Sequence, residues 1–287
     1  MFPLPFNKRI GDLMPLQNTD PSVTVYRPES LSNEEYHGDT THLSSSALKT
    51  LLISPAAYKE KYIDGFSSGS SDAMDLGSYV HALILEPHLV DTEFAVFPGK
   101  VRRGVAWEEF KAANKDKTII TSSQVAKANE MLEGYSNSDH AKKLIADNTG
   151  VPELSMFSEI DGVPVKIRTD FFTTNGDIVD VKTTNAPLSE ADIQSVIRKY
   201  SYDLSAALYV DVAKQYDGKD HDFYFVFLSK QSGAPCRAFK ASKKLLELGR
   251  KKYREALALY SHCKAHGFET NGEPEEIPII CLPEASP

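Results

Sequence analysis

Two dipeptides constrain the fold of this chain more than any other feature: Asp161-Gly162 and Asn175-Gly176. Both favour the left-handed backbone of a tight reversal, and both separate runs rich in β-branched and aromatic residues. Residues 154–160, 163–173 and 177–183 are therefore expected to form three strands of an antiparallel meander. Loop length sets the register of the second hairpin, because side chains alternate faces with a period of two. A two-residue loop, Asn175-Gly176, would put Asp170 across from Val181 and send Asp180 to the opposite face. A three-residue loop, Thr174-Asn175-Gly176 with Gly176 left-handed in a bulge, puts Asp170 across from Asp180. Lys182 then shares their face, while Phe171, Val179 and Val181 gather on the other as a core-facing set. The apolar and polar patterns both select the three-residue loop.

Two carboxylates facing each other across a hairpin repel unless a cation lies between them, and hard oxygen ligands suit Mg2+ or Mn2+. A cation there can hold a phosphate oxygen, acidify a water and neutralise charge on a leaving 3′ oxygen, which is metal-assisted phosphodiester hydrolysis. Lys182 is placed to orient or deprotonate the attacking water and to stabilise developing negative charge. The competing reading is an exposed hairpin with a surface salt bridge, since Asp followed by Asp-x-Lys is short and common.

Residues 1–30 carry five prolines and little apolar periodicity, and read as an extended or disordered arm that adds nothing to the core. Helices are expected over 45–53 behind Ser44, from Pro55 to Tyr62, over 72–85 ahead of Pro87, and around 107–114, 122–134 and 138–146. GFSSGSS at 65–71 reads as a flexible joint, and the rest of 88–118 as irregular. After the meander come helices at 189–199 and 203–215, strands at 222–229 and 235–240, and a long helix at 242–266. One domain over 31–267 results, with a helical half (31–148) and a half that holds the catalytic sheet (149–267). The Pro- and Glu-rich segment 268–287 reads as an irregular tail.

The formal net charge of −8 runs against a nucleic-acid binder, whose affinity comes largely from Lys and Arg displacing counterions. The two are compatible where carboxylates collect at a metal site and basic residues are confined to one groove. Cys236, Cys263 and Cys281 are widely spaced with no Cys-x-x-Cys pair, against a disulfide framework, a zinc site or an iron-sulfur cluster. No run approaches the roughly 18 apolar residues of a membrane span. The opening MFPLPFNKRI is too short and proline-broken for a secretory segment, so a cytosolic location is expected.

Asp170, Asp180 and Lys182 resemble the PD-(D/E)xK nuclease signature, with Thr169 where the motif often has proline. The chain also resembles the RecE (exonuclease VIII) nuclease family, in family order from about residue 31 to about residue 285. The segments that carry this likeness are Ser32-Asn33-Glu34-Glu35-Tyr36-His37, Leu43-Ser44-Ser45-Ser46 followed by Ser54-Pro55, Leu76-Gly77-Ser78 leading to His81-Ala82-Leu83-Ile84-Leu85-Glu86-Pro87, and Asp180-Val181-Lys182-Thr183-Thr184. The resemblance implies an α/β (α+β) fold with a restriction-endonuclease-like core, a mixed central sheet flanked by helices. It implies 5′-to-3′ digestion of linear double-stranded DNA with two Mg2+ ions, for which Mn2+ may substitute. The products would be 3′ single-stranded overhangs for a single-strand annealing protein in homologous recombination. The enzyme would be a homo-oligomeric ring, in the cytoplasm of a bacterial or phage-infected cell.

The same resemblance assigns residues. His81, Asp170, Asp180 and the Val181 backbone carbonyl would hold metal, with Gly77 small to let the His81 helix approach the sheet. Glu153 would bind a metal or its water. Arg102 and Arg103 of Lys100-Val101-Arg102-Arg103-Gly104 would clamp backbone phosphate, with Thr183 a further DNA contact. Tyr209 matches the tyrosine of a Gln-x-x-x-Tyr helix, but Ser205 stands where the family has glutamine, which puts a substrate-orienting contact in doubt.

Residue by residue, plainer readings stay open. A lone helical histidine is ordinarily a core or surface residue, and Glu153 can simply be solvated in a loop. Tyr209 can be the core tyrosine of an amphipathic helix, and Arg102-Arg103 a solvated charge run. As to function, an endonuclease or structure-specific nuclease on the same core, and a catalytically silent scaffold for DNA or protein, are the alternatives. An iron-sulfur relative is disfavoured by the missing cysteine cluster.

Overall fold

The computed structural model describes residues 20–66, 69, 71–99 and 102–269. The first 19 residues of the expected arm, residues 67, 68 and 70 of the joint, Lys100 and Val101, and the tail from 270 with Cys281 lie outside the described residues.

The meander forms where the two Gly turns require it. Strands β4 (Gly150–Ile160), β5 (Val163–Thr173) and β6 (Ile178–Thr184) follow one another. Phe171 pairs with Val179 and Phe172 with Ile178, and the Thr173 N–H donates to the Asp177 carbonyl. Gly176 takes φ +91, so the loop is the three-residue type and the expected register holds. The ladder nevertheless ends at Phe171 and Val179, one pair short of Asp170 and Asp180.

Around the meander the sheet is mixed. It includes β1 (Thr24–Tyr26), β7 (Phe223–Ser229) and β8 (Cys236–Lys240) in the order β1-β4-β5-β6-β7-β8, parallel between β6 and β7 and otherwise antiparallel. On one face pack α2 (Ser45–Ile53), α10 (Tyr202–Asp217) and α11 (Lys243–His266); on the other, α4 (Asp72–Leu85), α7 (Ser122–Ser136) and α8 (Asp139–Leu144). Side-chain caps start four of these helices: Ser44, Ser71, Ser138 and Ser242 each accept a backbone N–H three residues on. Leu48 and Leu51 of α2 are fully buried, each contributing about 1.5–3 kcal/mol by leaving water. α1 (Asn33–Gly38), α3 (Pro55–Tyr58), α6 (Val105–Ala113) and α9 (Glu190–Lys199) complete the main helices. None among the described residues is long and apolar enough to cross a membrane.

The N-terminal arm departs from expectation. β1 pairs antiparallel with β4, and Val23 is 1% exposed in the core. Residues 20–30 are thus not a passive leader; an open sheet edge gave a three-residue strand its hydrogen bonds. The stretch 88–118 also holds more than one helix: α5 (Val90–Glu93), β2 (Phe94–Phe97) and β3 (Thr118–Thr121), with β2 and β3 paired in parallel. A four-residue strand whose partner lies far along the chain carries no hairpin signal.

The meander opens into a fork. Below Phe171, β5 bonds to the chain ahead of α2 in place of β6: the Leu43 N–H donates to the Pro164 carbonyl and the Lys166 N–H to the Leu43 carbonyl. β6 meanwhile continues against β7 as far as Thr184 and Ser229. At the level of the fork Glu153 takes φ +48 and drops out of the ladder between Pro152–Phe171 and Leu154–Thr169. The in-out alternation slips there by one residue. Leu154, Met156, Val165 and Ile167 join the α10–α11 core on one side of the slip, and Val151 and Phe172 join it on the other. A left-handed glutamate costs of order 1–3 kcal/mol, so packing on both sides holds it in place.

Candidate metal centre

Asp170 lies at the point of the fork. Its Oδ2 accepts the Val181 N–H at 2.6 Å, so a side chain satisfies a donor that a ladder pair would have taken. Lys182 donates to Asp180 Oδ1 at 2.6 Å and stands 3.7 Å from Asp170 Oδ2. The two aspartates thus share one cation without being a ladder pair. Phe171, Val179 and Val181 occupy the opposite, α4–α7 core, as their alternation requires.

α4 brings His81 to the same place. Its Nε2 lies 2.6 Å from the Val181 carbonyl and its Nδ1 3.6 Å from Asp170 Oδ2. A carbonyl only accepts, so Nε2 carries the proton, and in the neutral ring the Nδ1 lone pair faces Asp170. Glu153 completes the group: His81, Glu153 and Asp170 offer ligand atoms all within 4.8 Å of one another. Asp180 falls outside this trio, its Oδ1 being engaged by Lys182. The trio opens on a cleft of about 970 Å³, lined also by Tyr36, Arg168 and Tyr209.

The electrostatics are those of carboxylates short of positive charge. Burial, then Asp170 and Glu86, push Glu153 up to about 8. Burial likewise raises Asp180, against the pull of Lys182. Burial alone would lower Lys182, but Asp170 and Asp180 outweigh it and hold the ammonium above its usual range. One imidazole and several oxygens that resist ionising together are the donor set of a hard divalent cation, so the residues fit one.

The remaining sequence-derived residues divide. Tyr209 lies in the cleft wall, shares a hydrogen bond with Ser45, and is raised by burial and by Asp180 and Asp170. Ser205, one turn earlier on α10, is buried. Thr169 is buried and donates to the Leu154 carbonyl. Gly77 is not forced by close approach: an added methyl would find Thr183 Oγ1 at 3.7 Å, an ordinary contact. Arg102 does not reach out to solvent. It pairs with Asp72, donates to the Ile119 carbonyl at 2.7 Å and to Gln124 at 2.9 Å, and stands 3.6 Å from Asp75. It ties α4 to α7 because acceptors of the fold already take up its guanidinium, and so it is not a free phosphate clamp. Arg103 is exposed.

Lys166 was not singled out in the sequence and Arg168 was given no role there, although Lys166, Arg168 and Asp170 recur at a spacing of two in β5. Arg168 donates to Ser155 at 2.7 Å and Asn33 at 2.6 Å, and lies 4.1 Å over the Tyr36 ring. Lys166 donates to the Tyr36 and Asp39 carbonyls. The Ser32–His37 motif is thereby pinned to the sheet beside the metal trio. Lys49 of α2 was missed as well; its neighbours come from distant segments.

Residues 44–276 match the family described as a PDDEXK-like domain of unknown function (DUF3799). In structure the chain is similar to a candidate exonuclease from Eubacterium rectale, at 17% identity and TM-score 0.58, covering 87% of this chain and 96% of that one. A phage-related exonuclease from Haemophilus somnus 129PT is similar at 10% identity and TM-score 0.33, covering 78% of this chain and 96% of that one. The first likeness speaks to the fold, and the second carries no weight. No curated protein matches. The family match spans the fork and all its acids, and the chain belongs to the PDDEXK-like family, within the PD-(D/E)xK superfamily.

Proposed function

We propose that this protein is a RecE-like exodeoxyribonuclease that hydrolyses linear double-stranded DNA with Mg2+, Mn2+ substituting. The observation that carries the reading is the trio of His81, Glu153 and Asp170 within 4.8 Å, with the Lys182 ammonium beside it. His81, Glu153 and Asp170 would hold one ion; Asp170, Asp180 and the Val181 carbonyl would serve a second. Bound Mg2+ supplies polarisation of the scissile phosphate and acidification of the attacking water.

The chain's own residues do the rest. The Val181 N–H fixes Asp170, and Asp180 fixes Lys182. Lys182, beside both aspartates, would orient or deprotonate the attacking water and stabilise negative charge on the phosphate. Tyr209 lines the approach. Arg103 and Thr183 are proposed DNA contacts. The proposal extends, on the family resemblance, to 5′-to-3′ polarity, a homo-oligomeric ring, a single-strand annealing partner in recombination and a cytoplasmic site of action.

Digestion of linear and covalently closed circular duplex with Mg2+ tests the reading, with one 5′ end labelled. Nucleotide release from linear DNA alone, lost in Lys182→Ala, is expected. Cutting of the circle would indicate an endonuclease, and an inert wild type a scaffold.

A further inference from the structure

A strip of aromatic rings and lysines leads away from the fork along the α9–α10 junction. Tyr200, 50% exposed, stacks on Tyr202 with centroids 5.6 Å apart and planes at 25°. Tyr202 leans on Phe225 and Phe227 of the core, each at 6.4 Å, which anchors the pair. Between them Ser201 takes φ +47, a left-handed conformation that costs a serine roughly 1–2 kcal/mol and fixes how the two rings are presented.

Three lysines attend these rings. Lys199 stands 5.3 Å over Tyr200, and Lys49 and Lys182 stand 5.1 and 5.6 Å over Tyr202. Lys182 has Asp180, and the neighbouring Lys252 has Asp203 at 2.8 Å. Among the described residues the ion pairs include none for Lys49, a partly buried ammonium whose pKa burial and Lys182 pull down to about 8. Burial and Lys182 outweigh the pull of Asp180 and Asp203 on Lys49, and an ammonium so placed is stabilised when an anion arrives. Aromatic faces interleaved with cations suit a single nucleic-acid strand, whose bases stack on the rings while its phosphates meet the lysines.

We propose that Tyr200, Tyr202, Lys49 and Lys199 form a track for single-stranded DNA that adjoins the fork, with a base stacked on Tyr200 and backbone phosphates on Lys49 and Lys199. The track rests on the nuclease reading for the identity of its polymer, and adds to it the path of the unpaired strand.

Fluorescence anisotropy of a labelled oligothymidine, in EDTA so that nothing is hydrolysed, tests the track. Tyr200→Ala is expected to weaken binding about 5- to 150-fold, the worth of one stacked base, and Tyr200→Phe to retain it. An oligomer with abasic positions should bind wild type less well than the intact one, and Tyr200→Ala should no longer tell the two apart. Lys49→Gln should reduce the slope of log affinity against log salt by about 0.7. Equal binding by wild type and Tyr200→Ala, with matching circular dichroism, would overturn the track, as would wild type that ignores the oligomer. Digestion of linear duplex, run in parallel, separates the two ideas. Active protein with an indifferent Tyr200 sinks the track alone; Tyr200-dependent binding without digestion sinks the nuclease reading alone.

Discussion

Two charged networks hang on neighbouring residues of β5 and behave in opposite ways. Lys166 and Arg168 are closed: carbonyls, Ser155, Asn33 and the Tyr36 ring take up their donors and faces. Asp170, two residues on, belongs to a group in which burial, and then repulsion from neighbouring carboxylates, pushes Glu153 and Asp180 toward protonation. The same strand periodicity placed both. Only the partners that tertiary packing brings distinguish a network that holds the fold from one proposed to bind metal.

That contrast can be broken by mutation. Lys182→Ala is expected to cost roughly 100- to 1,000-fold in digestion rate with the melting temperature little changed, as for loss of one transition-state donor. Arg168→Ala should instead lower stability by roughly 3 kcal/mol in denaturant melts, since several buried acceptors lose a charged donor, and reduce activity only as far as the protein unfolds. If Lys182→Ala unfolds the protein while Arg168→Ala leaves it intact but dead, the two networks have been assigned the wrong way round.

Ligand and pH sharpen the same contrast. Mg2+ at about 100 times its dissociation constant should stabilise wild type by about 2.7 kcal/mol, and Asp170→Asn far less. Glu153, at 4.5 in the unfolded chain, is raised to about 8 in the fold, so the folded state binds the extra proton between those values. Its contribution to metal-free stability is therefore full below pH 4.5 and is lost as pH rises through about 8. Glu153→Gln should flatten that part of the profile. Stabilisation by Mg2+ should grow across the same window, because Glu153 must lose its proton to bind.

The smallest effect separates the two adjacent arginines. Arg103→Ala should reduce the salt slope of duplex binding by about 0.9, the value of one phosphate contact, without changing stability. Arg102→Ala should leave the slope alone and lower the melting temperature.

Local chemistry made much of this legible in the sequence. The Asn175-Gly176 loop, with the apolar set Phe171, Val179 and Val181, gave the register, and Ser44 gave the start of α2. What escaped depends on segments remote in the chain. Leu43 replaces β6 along β5, Val23 fills an edge of the core, and Phe94–Phe97 finds Thr118–Thr121. At the site, Asp170, Asp180, Lys182 and His81 could be named from motifs, and Glu153 from its place before the first strand. The inserted Asp170 side chain and the inward turn of Arg102 could not, since both answer to acceptors and donors that only the folded chain supplies.

Whether the fork holds a divalent ion can be read from anomalous diffraction by Mn2+-soaked crystals of active protein. A peak within coordinating distance of His81, Glu153 and Asp170, absent in Asp170→Asn, is expected. Mn2+ bound elsewhere, with none at the fork in protein that still cuts DNA, would contradict it.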